Sequence, residues 1–93
     1  MPSNNIEIEQ AVLGSLLLNV NAYPEVDAKL SADDFISQVH SDIYKCIKNL
    51  ADSGKGTDYI SVSRELDRNN LLERIGGVDY LKLLRDTPVT ARN

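Results

Sequence analysis

The residues in this chain that could do chemistry are few, and their spacing works against each chemistry they suggest. His40 is the sole histidine and Cys46 the sole cysteine. Six residues apart on one predicted helix, they fall on different faces, so a cysteine–histidine nucleophile pair is not built. No Cys-His cluster surrounds His40 to make a zinc site. Asp33-Asp34 could open an oxygen-ligand set, but no third or fourth oxygen ligand follows at regular spacing. Behind Ser31 the pair suits a helix start instead. Gly54-Lys55-Gly56-Thr57 has the outline of a phosphate-loop ending. That loop needs a glycine where Asn49 stands and a Ser or Thr where Gly56 follows the lysine. Gly76-Gly77 follows a helix and not a strand, which makes it a connector and not a dinucleotide fingerprint. Carboxylates abound, yet none is predicted in an apolar pocket that would fit it for acid catalysis. The isolated chain is therefore expected to hold no catalytic group, no metal and no cofactor.

The elements that position these residues must form one small domain. The chain has 93 residues, 42% hydrophobic and 26% charged, with three prolines, a globular composition. At this size folding hides roughly 64% of the unfolded surface, enough for a thin core. A lone cysteine excludes a disulfide scaffold. Apolar runs such as Leu16-Leu17-Leu18 are too short for a membrane span, and the polar, then acidic start is unlike a signal peptide. A cytoplasmic protein with no membrane partner is expected. Ten basic residues against fourteen acidic give a net charge of −4, with the basic residues scattered singly. This disfavours direct grip on duplex DNA, which usually uses a positive patch.

The pattern is helical almost throughout. Asn4 or Asn5 is read as the first cap, with Ile6, Val12, Leu13, Leu16 and Leu17 on one face and Ile8 off it. Asn19-Val20-Asn21 breaks that helix and caps a shorter one carrying Tyr23, Val26 and Leu30, with Pro24 in its first turn. Ser31 to Asp34 reads as a capping box leading into Phe35 and Ile36. The strongest amphipathic stretch runs from about Val39 to Ser53, with Ile43, Tyr44, Ile47 and Leu50 inward and Gly54 as the stop. Asp58 caps the next helix (Tyr59, Val62, Ser63, Leu66), which closes at Asn69-Asn70. A short helical turn, Leu71 to Ile75, precedes Gly76-Gly77. The last helix, Val78 to about Arg85, carries Leu81 and Leu84 and is stopped by Thr87-Pro88. Helices this short cannot stand alone. The predicted fold is all-α, a compact orthogonal bundle of five or six short helices. Its core comprises Leu13, Leu16, Ile43, Tyr44, Ile47, Leu50, Leu66, Leu81 and Leu84.

Several segments together resemble a known family. Asn5-Ile6-Glu7-Ile8-Glu9-Gln10-Ala11-Val12-Leu13-Gly14-Ser15-Leu16-Leu17-Leu18 is similar to the opening of the bacterial DnaB family of replicative DNA helicases. The register continues through Asp34-Phe35, His40, Ile43-Tyr44, Ile47, Leu50, Gly54, Asp58, Leu66, Gly76-Gly77, Tyr80-Leu81, Leu84, Thr87-Pro88, Ala91 and Asn93. Departures are local. The family has an aromatic where Ile36 stands, and Pro-Ile where Gly56-Thr57 stands, which implies a looser turn before Asp58. The resemblance implies that residues 1–93 form an amino-terminal head, with a helical hairpin and a RecA-like motor domain beyond it. In such proteins ATP and magnesium belong to the motor, as does single-stranded DNA. The heads pair into dimers and form a collar on a hexamer, where primase docks and a helicase loader is a further partner. The alternatives are a stand-alone helical adaptor of phage or bacterial origin and a helix-turn-helix DNA binder. The second lacks a basic recognition helix. For protein contacts the candidates are apolar or aromatic residues outside the core stripes: Ile8, Tyr23, Ile36, Tyr59 and Tyr80.

Overall fold

Capping chemistry sets several of the helix boundaries. The computed structural model describes residues 4–91, with side chains from residue 5 to residue 87. Five α-helices follow one another: α1 (Asn4–Leu18), α2 (Tyr23–Lys29), α3 (Gln38–Asp52), α4 (Tyr59–Arg68) and α5 (Gly77–Ala91). Two single 3-10 turns, Val20–Ala22 and Ala32–Asp34, flank α2, and no strand occurs among the described residues. None of the described helices is long and apolar enough to cross a membrane.

Asn19 caps the first 3-10 turn by accepting from the Asn21 amide, and Pro24 sits in the first turn of α2, where its missing N–H costs nothing. Ser37 Oγ accepts from the His40 amide at the start of α3, and Asp58 accepts from the Ser61 amide at the start of α4. Gly54 closes α3 at φ +74°. The Lys55 amide bonds back to the Leu50 carbonyl at 2.8 Å and that of Gly54 to Ala51 at 3.0 Å, a Schellman stop. The stop of α4 repeats this with Asn70 at φ +61° and the Leu71 amide on the Leu66 carbonyl.

Helix α5 packs mainly along α1 and also against α4, while α3 touches both α1 and α4. Leu13, Leu16, Ile43, Tyr44, Ile47, Leu66, Leu81 and Leu84 are fully buried between them, with Leu50 close behind. Phe35 joins this core from the loop before α3, its ring 5.3 Å from that of Tyr44. The radius of gyration, 12.1 Å, is about the 12 Å expected for a single domain of this length.

Four local expectations change. Asn5 lies inside α1 and does not cap it, while the Asn4 side chain lies outside the described residues. Leu13, Leu16 and Leu17 face inward as expected, but Glu9 shares their face, and Ile6, on the same side one to two turns nearer the start of α1, is 39% exposed. The Ser31 box, with the Asp34 carboxylate accepting from the Ser31 amide at 2.9 Å, supports only one 3-10 turn before Phe35 extends at ψ 129°. By contrast, Leu71 to Ile75 closes the single helical turn expected, with the Ile75 amide on the Leu71 carbonyl at 3.1 Å. Thr87-Pro88 does not end α5, which continues to Ala91. A proline removes one N–H donor from a helix, and the bias of the residue before it is a preference that packing overrides.

The connection before α4 is also tighter than its residues suggest. Thr57 is 2% exposed, and its hydroxyl donates to the Leu16 carbonyl at 2.8 Å. The loop is thus pinned to the end of α1 by a buried hydrogen bond, and the looser turn implied by Gly56-Thr57 is not found.

Candidate protein-docking site

The polar residues of the interior converge on His40. Its ring lies in the first turn of α3, 1% exposed. Nδ1 is 2.8 Å from Glu9 Oε1 and Nε2 is 2.5 Å from the Tyr80 hydroxyl. An ionised carboxylate only accepts, which places the Nδ1 proton toward Glu9. With a neutral ring the chain of bonds closes: the Tyr80 hydroxyl donates to Nε2, and Gln10 Nε2 donates to the Tyr80 oxygen at 3.3 Å. The remaining lone pairs of Glu9 take the amides of Ile36 at 2.6 Å and Ser37 at 3.4 Å. Burial pushes the Glu9 carboxyl up, but hydrogen bonds from His40, Ile36 and Ser37 outweigh it and hold the group below its ordinary value. The network thus joins α1, the loop before α3, α3 itself and α5. Both ring nitrogens of His40 are occupied and the ring is out of solvent, so no substrate atom can reach it.

Cys46 is equally closed. Burial pushes its thiol up to about 12, and Sγ faces the Val62 carbonyl at 3.6 Å. A thiol held protonated is no nucleophile at neutral pH. No group of three or more His, Cys, Asp or Glu side chains able to hold a metal occurs among the described residues.

Of the five residues nominated for protein contact, Tyr23 is part of the core. It is 8% exposed, and its ring lies 6.4 Å from that of Tyr44. Its hydroxyl accepts from Lys48 Nζ at 3.2 Å and donates to Asp52. Beside it, the Tyr44 hydroxyl donates to Asp27 at 2.7 Å, which with the nearby Lys48 holds that carboxyl low. These bonds tie α2 to α3, so Tyr23 has no face left for a partner. Tyr59 is half-buried under the cations of α5, with Arg85 4.8 Å and Lys82 5.8 Å from its ring centre. Tyr80 is half-buried as well, its ring nearly parallel to that of His40.

Ile8 and Ile36 differ from these three. They are 58% and 67% exposed. They come from α1 and from the loop before α3, and they line one open cleft of about 260 Å³ with Asn5, Glu9, Val12, Leu30, Asp34 and Phe35. The sequence nominated both as stray apolar residues, without the cleft. It gave no sign that Glu9 is buried, because the partners of Glu9 lie 27 to 31 residues away.

A small all-α domain with its buried titratable groups tied up internally and its two most exposed isoleucines gathered at one cleft is the class of protein this geometry defines. The chain belongs to the DnaB-like helicase N-terminal domain family, whose model matches residues 1–93. It is 40% identical over 92 residues to the replicative DNA helicase DnaB of Mycobacterium leprae, covering 99% of this chain and 15% of that protein. To the replicative DNA helicase DnaC of Bacillus subtilis it is 39% identical over 93 residues, covering 100% of this chain and 20% of that protein. The chain therefore spans a fifth or less of the length of these relatives. Among solved structures it resembles the N-terminal domain of DnaB helicase from Mycobacterium tuberculosis. The TM-score is 0.87 at 40% identity, covering 88% of this chain and 59% of that one.

Proposed function

We propose that this chain is the amino-terminal head of a hexameric replicative DNA helicase, serving ring assembly and primase recruitment through protein contacts. The observation that carries the reading is the family match, which runs over residues 1–93. The internal saturation of His40, Glu9 and Cys46 supports a binding role over a catalytic one. On this reading ATP, magnesium and single-stranded DNA are handled by a motor domain outside these residues. Heads pair into dimers that build the collar, and a helicase loader is a further protein partner. The net charge of −4 suits protein surfaces better than a phosphate backbone.

The test titrates the carboxy-terminal domain of the primase from the same source against this chain and against the helicase ring that carries it. Binding by both is expected, tighter for the ring because several heads together raise effective concentration. Tight, salt-sensitive binding of single-stranded DNA by the isolated chain, with none of primase, would overturn the reading.

A further inference from the structure

Ile36 and Ile8 are the two most exposed of the large hydrophobic residues described, at 67% and 58%. They face the same cleft from different elements. The cleft, about 260 Å³, falls below the roughly 300–1,000 Å³ of small-molecule sites. It suits one or two protruding side chains. Its wall is already set, because the Glu9 carboxylate holds the amides of Ile36 and Ser37. An occupant would not have to order that loop on arrival.

Charge narrows the occupant. The polar lining is Asn5, Glu9 and Asp34, with no cation, and the nearest lysine in sequence, Lys29, pairs with Glu25. Asp33, also exposed, adjoins Asp34. The described residues offer no strand edge for an extended peptide to join. An apolar cleft with an acidic rim on an all-helical surface is matched by a helix with an apolar anchor flanked by lysine or arginine. We infer that the cleft between α1 and residues 30–36 docks a basic amphipathic helix of a partner protein, one apolar side chain entering between Ile8 and Ile36. This inference rests on the protein-docking reading above and names the site and the chemistry of its partner.

The experiment uses methyl-labelled chain and two synthetic peptides about five helical turns long, sharing one leucine face and carrying either lysine or glutamate on the other. The leucine–lysine peptide should shift the Ile8 and Ile36 methyls saturably. Its affinity should fall about tenfold or more in the Ile8→Ser/Ile36→Ser variant, a difference titration resolves readily. Both isoleucines are exposed, so that variant should keep the parent's circular dichroism and unfolding midpoint. Shifts centred on Leu18, Ile60 or Leu83, equal binding of the glutamate peptide, or no saturation by about 1 mM would overturn the inference. A second arm measures primase binding by the ring carrying the same double substitution. Unchanged primase binding alongside peptide capture in the cleft supports the cleft and assigns it to a partner other than primase. A parallel fall in both supports the cleft with primase as its occupant.

Discussion

Replacing Glu9 by alanine should damage the domain more than any other single polar change. The substitution removes the acceptor for three donors at once: His40 Nδ1 at 2.8 Å, the Ile36 amide at 2.6 Å and the Ser37 amide at 3.4 Å. His40, 1% exposed, cannot turn to water for a replacement. A hydrogen bond to a charged group contributes about 1.5–3 kcal/mol, and a buried donor left unmade costs about 1–3 kcal/mol. These overlap, so the loss, one charged acceptor taken from three donors, is about 3–5 kcal/mol. A domain of this length holds about 5–14 kcal/mol in all. With a urea dependence of about 1–2 kcal/mol per molar, the midpoint should fall by about 2 M or more. Glu9→Gln keeps one oxygen acceptor in the same shape and should lose clearly less. Urea melts followed by circular dichroism decide it. A Glu9→Ala midpoint within about 0.3 M of the parent would refute the claim that this network holds α1, α3 and α5 together. Acid should reproduce the effect by titration. The folded-state carboxyl of Glu9 lies below its ordinary 4.5. Its contribution is therefore complete above about pH 4.5 and is lost as pH falls through the depressed value. The shifts of Asp27 and Asp58 have the same sign. Stability should drop below about pH 4.5 in the parent, and less steeply in Glu9→Gln.

Three further outcomes follow from the packing. Ile47→Ala deletes a fully buried side chain of α3 and should cost about 2–5 kcal/mol; an unchanged urea midpoint would mean that face is not the core. Cys46, with its thiol pushed up to about 12, should react with a thiol reagent at pH 8 only as fast as the protein opens, and rapidly in denaturant. Immediate labelling of the native chain would contradict its burial. Gly76→Ala places a Cβ 2.9 Å from the Tyr80 Cβ at a backbone φ of +109°. It should cost about 1–3 kcal/mol and shift the Tyr80 and His40 ring resonances, whereas Gly54→Ala meets no atom within 4 Å and should leave those rings alone.

What could be read from the sequence was local. The α3 stripe of Ile43, Tyr44, Ile47 and Leu50 announces itself within one helix. So do the Asp58 cap and the Gly54 stop, because their partners lie within a few residues. On α1 hydrophobicity picks out Leu13, Leu16 and Leu17 but does not show that Glu9 shares their buried face. The carboxylate is inward only because His40, 31 positions on, and two loop amides meet it there. Thr57 is a similar case, its acceptor Leu16 lying 41 residues back. Tyr23 and Tyr80 look alike as unassigned aromatics, yet one fills the core beside Tyr44 and the other caps a buried histidine. The cleft between Ile8 and Ile36 exists only once α1 and the loop before α3 are brought together.

On the function proposed above, these residues recruit primase to the helicase ring. The most direct measurement compares primase binding by the intact ring with binding by the same ring lacking residues 1–93, with ATP hydrolysis as the control for the motor. Loss of primase binding with hydrolysis retained is the predicted result. Primase binding undiminished by the deletion would contradict the account.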